Sequence, residues 1–474
     1  MQDIGDGFFI KYFSNIYSAA MNNEQKTVEL ERTVLNSNKV LINARLNLRN
    51  AILYVLNQCL CVGTYPWNTA VITPLHKKGC KEDPNNYRAI AVGSNLGKLF
   101  SSILLERLLA FRTRNCPDPP NQLGFCKKAQ TADHIFSLHT CLDKYLSKKQ
   151  KVFSCFIDYQ KAFDSVSREA LLWKLSKLGV KGNFFKCISH MYRNSSAKLK
   201  LIGKISDRLD ILVGTEQGHP MSPELFKGYL LDLSVELNNY EGLSLPELNE
   251  TPISHLLWAD DLVLLALNEE SLQELIDRVN TFCAEWGLSV NISKTAVMVF
   301  NKTGRLLNIS KTFKFGSTSI PSARTYCYLG ITFNLCGNFK AAADELRKKG
   351  LRAYFALKRM LNLKDLSLKA TFKLFDTLVL PVASYGSQIW LPHSAFFSAL
   401  NMRNFSSSGF MNKSASDSTE KLHLRFLKWS LGVHKKCSNL ACYGDTGRFP
   451  LAVFMAKQMF SYYKRLKQME AVGD

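Results

Sequence analysis

The chain has 474 residues, 46% of them hydrophobic and 21% charged, a balance that excludes a disordered chain or a low-complexity fibre. Its 61 Lys and Arg against 39 Asp and Glu leave a formal net charge of +22, which points to a polyanionic partner, nucleic acid before an anionic membrane surface. No window reaches the roughly 18 consecutive apolar residues of a membrane span, the N-terminus lacks a secretory apolar stretch, and the 13 cysteines form no Cys-x-x-Cys pair, so the expectation is an intracellular protein with reduced thiols and no membrane partner, its compartment (nucleus or cytoplasm) left open.

The length allows about two to four domains. Residues 1–63 read as a mostly helical extension that stops at Gly63. Thr69 to Leu75 is rich in β-formers, and a polar basic stretch from His76 to Asn86 separates it from Ala89–Val92, which together predict a hairpin with a basic tip. Leu96 to Phe111 predicts a helix, and Pro117, Pro119 and Pro120 break the chain. Val152 to Ile157 is a short apolar run bounded by charges, hence a buried strand. Ser167 predicts a cap for a helix running to Gly179, and Ser222-Pro223 a cap with proline in the first turn. Ile253 to Ala266 is two apolar runs joined at Asp260-Asp261. Ser271 and Glu274 have capping-box spacing, and behind them Leu272, Leu275, Ile276, Val279, Phe282 and Cys283 share one helical face up to Gly287. Ala296–Phe300 predicts a strand. Beyond residue 340 the pattern is helical and basic, interrupted by a Ser/Asn-rich stretch at 401–420 expected to be a mobile loop, and a last helical segment is expected from Lys421 to Met469.

Three aspartates carry the chemistry. Asp158 ends the run Val152–Ile157, a place where a turn or cap residue is ordinary. Asp260 and Asp261 are stranger, because two like charges at the tip of a hairpin repel and apolar flanks hold that tip against the core. A divalent cation relieves such repulsion. Mg²⁺ takes a few carboxylate oxygens, waters and substrate phosphates, and paired ions activate an attacking oxygen and stabilise a leaving one.

With these residues in place the sequence becomes recognisable. Phe156-Ile157-Asp158-Tyr159-Gln160-Lys161-Ala162-Phe163 resembles motif A of the reverse transcriptases of non-LTR (LINE-type) retrotransposons. Gln217-Gly218-His219-Pro220-Met221-Ser222-Pro223 resembles their motif B, Trp258-Ala259-Asp260-Asp261 motif C, Gly287-Leu288-Ser289-Val290-Asn291 with Lys294 motif D, and Tyr328-Leu329-Gly330 motif E. Upstream, Pro74 to Gly79 and Asn86 to Ile90 are similar to the family's fingers segments, and Leu380-Pro381, Tyr385-Gly386 and Tyr443-Gly444 to the region after its palm.

The resemblance implies an α+β right-hand polymerase: extension 1–63, fingers 64–150, palm 151–340, and a helical thumb and C-terminal region 341–474. It implies an RNA-directed DNA polymerase that adds dNTPs to a DNA primer on an RNA template, with two Mg²⁺ ions, or Mn²⁺ in their place, on Asp158, Asp260 and Asp261. In this family's terms Lys294 would sit near the triphosphate and protonate pyrophosphate. Arg88 would grip the triphosphate with Lys77 or Lys78, against the plain reading of a solvated basic turn. Tyr159, Gln217 and Gly218 would border the nucleotide. Phe163 would exclude a ribose 2′-hydroxyl, against the plain reading of a core ring. Tyr328, Leu329 and Gly330 would place the primer end.

Departures from the pattern are Trp258 where Phe or Tyr is usual, and His219 and Met221 where Cys and Leu are common. The Lys-x-x-Gly-x-Asp-Gly segment before the fingers, the endonuclease domain and the C-terminal Cys-Cys-His-Cys knuckle are not found, so the expectation is a partial element or a truncated open reading frame, with a nicking endonuclease in trans left open as the source of the primer end. The alternative is a decayed or domesticated copy that binds RNA without catalysis.

Overall fold

The computed structural model describes residues 48–77, 79–201, 203–307, 312–361, 366–393 and 418–472. Lys78, most of the expected N-terminal extension and residues 401–417 of the expected loop lie outside the described residues. The chain divides into two compact units, one joining the described part of residues 1–68 to Val180–Ser195, the other holding Thr69–Gly179 and Ser196–Asp474.

In the first unit a helix over residues 48–62 ends at Gly63 with φ +82°. Glycine is required there twice over, by the left-handed backbone and because a Cβ would lie 2.7 Å from Lys186 Cβ on the helix Gly182–Arg193. The Asn183 amide of that helix donates to the Cys61 carbonyl at 2.6 Å. The helix falls inside the stretch expected as palm and was not legible in the sequence.

The second unit is built on two sheets. In the first, Thr69–His76 pairs antiparallel with Tyr87–Val92, setting Leu75 opposite Arg88, which is the expected hairpin with its basic tip. Its other edge takes Ser196–Leu201 in parallel. The second sheet has the order Ala296–Phe300, Val152–Asp158, Asp261–Ala266, His255–Trp258, with every neighbour antiparallel. Residues Val152 to Ile157 are all buried because helices cover both faces of this sheet, Thr131–Ser147 on one and Glu269–Trp286 on the other. Burial on both faces replaces the usual alternation by a continuous apolar run. Each buried Val, Phe or Ile of the strand contributes about 1.5–3 kcal/mol.

Caps were only partly as expected. Ser167 accepts from the Ala170 amide at 3.3 Å and opens Arg168–Lys177. The Ser271 capping box does not form. The helix starts at Glu269, and the Asn268 side chain accepts from the Ser271 amide at 2.8 Å, which leaves the Ser271 hydroxyl to accept from Ser244. Ser222 is likewise no cap, since it already lies in the first turn of Ser222–Tyr229 after Met221.

The C-terminal region is helical. Lys340–Met360 packs against Leu368–Leu378 and Ser418–Ser430, with Phe375 stacked on Phe426 at 4.0 Å. Residues 418–420, expected in the loop, open that last helix. The single segment expected from Lys421 to Met469 is three helices, Ser418–Ser430, Asn439–Thr446 and Leu451–Val472, because Gly432 and Gly447 take left-handed φ values of +68° and +63°. The expected α+β class is borne out. Among the described residues no helix is long and apolar enough to cross a membrane.

Candidate active site

Asp158 is the last residue of the central strand, and strand register places Asp261 directly opposite it. Antiparallel neighbours of this kind have Cα atoms about 4.5–5.5 Å apart. Asp260 lies in the tight turn between His255–Trp258 and Asp261–Ala266, a turn that puts Ala259 at φ +56°. The Lys294 ammonium donates to Asp158 Oδ2 at 3.3 Å. Lys294 reaches this point because its loop is docked on the same strand end. The Asn291 amide donates to the Asp158 carbonyl at 2.8 Å, the Gln160 amide to the Ser289 carbonyl at 2.7 Å, and the Asp158 amide to Thr295 Oγ1 at 3.2 Å.

The carboxyls are electrostatically crowded. Burial, then the charges of Asp260 and Asp158, push Asp261 up to about 6, although its side chain keeps contact with solvent. Burial also raises Asp260; the Asp158 charge adds to this, and the positive charges of Arg88 and Lys294 oppose it. Among the described residues no three Asp, Glu, His or Cys side chains close into a ligand set by themselves. Two facing carboxylates and a third beside them, repelling one another, nevertheless fit Mg²⁺, which completes its shell with waters and substrate oxygens.

Asp158, Asp260 and Lys294 open into a cleft of about 1190 Å³. Lys77, Arg88, Tyr159, Phe163, Gln217, Gly218 and Lys294 line it together with Asp158 and Asp260. Phe163 is half-buried, stacked on Phe226 at 4.4 Å and edge-on to Phe125 at 6.2 Å. Its carbonyl accepts from the Thr215 amide at 2.8 Å, and the Gln217 side chain donates to Asp164 at 2.8 Å, so the segment before the helix Ser222–Tyr229 is tied to the turn after Asp158. Gly218, at φ +104°, approaches the hairpin so closely that a Cβ would lie 3.0 Å from the Ala91 carbonyl. The Tyr159 hydroxyl is buried without a hydrogen-bond partner among the described residues.

Residues 75–333, more than half of the chain, match the family model described as reverse transcriptase (RNA-dependent DNA polymerase). The chain belongs to the reverse transcriptase family. The RNA-directed DNA polymerase from mobile element jockey of Drosophila melanogaster is 23% identical over 347 residues, 71% of this chain and 37% of that protein. The probable RNA-directed DNA polymerase from transposon BS of the same species is 28% identical over 72% of this chain and 38% of that protein. The Pol polyprotein of the type-1 retrotransposable element R2 of Popillia japonica is 28% identical over 60% of this chain and 40% of that protein. The chain thus spans about two fifths of the length of these relatives. Apo telomerase from Candida tropicalis overlaps in part, with a TM-score of 0.41 and 13% identity over 80% of this chain and 69% of that one. The relatives are polymerases of non-LTR retrotransposons, in agreement with the motif order, and the right-hand fold class goes with the family.

Not every residue singled out from the sequence meets the cleft. Tyr328 is buried, its ring 5.6 Å from Phe156 and its hydroxyl 3.4 Å from His134 Nδ1. Leu329 and Gly330 form the two-residue turn between Thr325–Tyr328 and Ile331–Asn334, with the Leu329 carbonyl accepting from Tyr385 at 3.0 Å. None of the three lines the cleft, and neither does Asp261.

Sequence reasoning missed Lys161, whose ammonium bridges to Asn85 of the hairpin tip at 3.0 Å. It also missed the segment Asn121–Gly124. This segment runs beside His255–Trp258, with the Leu257 amide donating to Asn121 at 2.9 Å and the Leu123 amide to Leu257 at 3.2 Å. A Cβ at Gly124 would lie 2.1 Å from the Ala259 nitrogen. Its only signal was a glycine among apolar residues after a proline break.

Proposed function

We propose that this cleft is the catalytic centre of an RNA-directed DNA polymerase that extends a DNA primer with dNTPs on an RNA template. The observation that carries the reading is the in-register pairing of Asp158 with Asp261, with Lys294 held on Asp158. Residues 64–150, 151–340 and 341–474 are taken as fingers, palm and thumb.

Asp158 and Asp261, with Asp260 beside them, would hold two Mg²⁺ ions, or Mn²⁺ in their place, which when bound supply activation of the primer 3′-oxygen and stabilisation of the leaving pyrophosphate. The chain's own groups do the rest. Arg88 and Lys77 project from the basic hairpin into the cleft, and a guanidinium suits phosphate oxygens. Lys294 can pass a proton to the departing pyrophosphate from its place beside Asp158. Gln217 and Gly218 border the nucleotide, where the missing Cβ lets backbone come close. Phe163 forms the floor near the sugar. Tyr328 supports the Leu329–Gly330 turn from beneath, and that turn would touch the primer end.

The test is extension of oligo(dT) on poly(rA) by the purified chain with Mg²⁺. Asp158→Asn or Asp261→Asn should lower the rate by at least about 100-fold, as removal of a preorganised electrostatic group does, while the melting temperature holds because a like-charge repulsion is relieved. Near-normal extension by either variant would remove the metal assignment. Tight RNA binding with no Mg²⁺-dependent extension by the unaltered chain would favour the decayed copy instead.

A further inference from the structure

A second basic depression lies between the helices Lys340–Met360 and Ser418–Ser430 and shares no lining residue with the catalytic cleft. It holds about 620 Å³, and its wall carries Lys358, Lys421, Arg425, Lys428 and Lys435 with no acidic side chain among the described residues. Like charges gathered this closely are relieved by an anion. Lys421, Arg425 and Lys428 follow one another at i, i+4 and i+7, hence along one helical face, and Lys358 stands across from them on the other helix. A row of charges matches a repeating polyanion better than a compact one. A neighbouring hollow shares Lys421 and Arg425 and adds Arg347, with Asp344 as its one acidic side chain among the described residues, so the purely basic row ends there. The Nε of Arg347 is buried without a hydrogen-bond partner among the described residues.

Two aromatic rings stand among these charges. Phe355 is 46% exposed. Trp429 is half-buried and edge-on to the core ring of Tyr354 at 6.1 Å. The Lys358 ammonium lies 5.8 Å from the Trp429 centroid, and the Arg425 guanidinium 6.0 Å from that of Phe355. Phosphates that attract these cations would draw them from the ring faces and leave the rings free to stack. A duplex keeps its bases stacked inside and cannot use the rings; an unpaired strand can.

We infer that this groove binds a single-stranded polynucleotide, with unpaired bases on Phe355 and Trp429 and phosphates on the two basic helix faces. It is a nucleic-acid site additional to the proposed catalytic cleft, and its readout is binding, so the loss of one reading leaves the other standing.

The test uses the full chain and fluorescence anisotropy with labelled oligo(rU) and oligo(dT) of about 12 nucleotides, within the usual length of such sites, and a blunt RNA–DNA duplex as control. Trp429→Ala should weaken single-strand binding about tenfold, the usual range for one lost stacking partner. Phe355→Ala, on the exposed ring and away from the core, should do the same without loss of folding. Both should leave duplex binding and extension of a pre-annealed primer within about twofold. Arg425→Gln should reduce the slope of log K against log salt by about 0.7 for the single strand. A loss for oligo(rU) alone names an RNA strand, and a loss for both names an unpaired strand of either sugar; each supports the site. Unchanged single-strand binding in Phe355→Ala and Trp429→Ala, or equal losses for single strand and duplex, would overturn it.

Discussion

Gly124→Ala is expected to disable the cleft without touching any residue that lines it. A Cβ at this position would lie 2.1 Å from the Ala259 nitrogen, 2.9 Å from the Trp258 carbonyl carbon and 3.0 Å from Ala259 Cα, and ordinary contact begins at 3.4 Å. Relief therefore needs a shift of about 1.3 Å between two backbones, the difference of those two distances. Neither can slide freely. The hydrogen bonds from Leu257 to Asn121 and from Leu123 to Leu257 fix the segment on the strand, and Ala259 already sits at φ +56°. The displacement must pass into the turn that carries Asp260 and starts the strand at Asp261. Overpacking of this kind costs about 1–3 kcal/mol of stability, and a shift of about 1 Å at a reacting centre can cost about 100-fold in rate. Steady-state primer extension and thermal melts would measure both. Gly93→Ala is the control, since nothing lies within 4 Å of its Cβ position. A Gly124→Ala protein with kcat within about threefold of normal would refute the claim that this close approach sets the position of the carboxylates.

Phe163→Val should raise rNTP incorporation relative to dNTP and also lower stability by about 1–3 kcal/mol, because the ring both lines the cleft and stacks on Phe226; an unchanged dNTP/rNTP ratio would leave it a core ring only. In the metal-free protein Asp261 binds its proton more tightly when folded, at about 6 against an ordinary 3.8, so its contribution to stability is full below about pH 4 and is lost as pH rises through 6. Melts across that range should therefore converge on, then fall below, those of Asp261→Asn, and Mg²⁺ should restore more stability above pH 6 than below it; a pH-independent difference between the two proteins would contradict the assignment.

Legibility in the sequence followed the kind of force involved. Val152–Ile157, Ala296–Phe300 and the two runs around Asp260-Asp261 were readable because burial on both faces leaves an unbroken apolar stretch. Cap positions were less readable. Ser271 and Asn268 are both good caps three residues apart, and tertiary packing selected Asn268 by giving the Ser271 hydroxyl another partner in Ser244. The parallel strand Ser196–Leu201 carried a signal that was passed over, since Ser196-Ala197-Lys198-Leu199-Lys200-Leu201 alternates polar and apolar residues, while its pairing with Thr69–His76 and that of the segment beside His255–Trp258 were not readable because the partners are distant in sequence. The same holds for Lys161 and Asn85, whose contact exists only once the hairpin tip meets the turn after Asp158. For the groove between Lys340–Met360 and Ser418–Ser430, the basic character was legible and the interleaved rings were not.

The strand Val152–Asp158 is the common reference for the acidic end of the site. Its last residue fixes Asp261 by register, Asn291 and Thr295 by backbone contacts, and Lys294 by charge. Register has an alternation of two, so a slip of one residue between Val152–Asp158 and Asp261–Ala266 would turn Asp261 inward and bring Leu262 out. The unbroken apolar runs do not forbid that slip, because both faces of the strands are buried and a shifted run buries equally well. What forbids it is the carboxylate itself, which an inward turn would strip of solvent. The Asp261 carboxylate, which repels its acidic neighbours, is therefore also what selects the register of Asp261–Ala266 on Val152–Asp158, and a site built from repelling charges specifies its own alignment before any cation arrives.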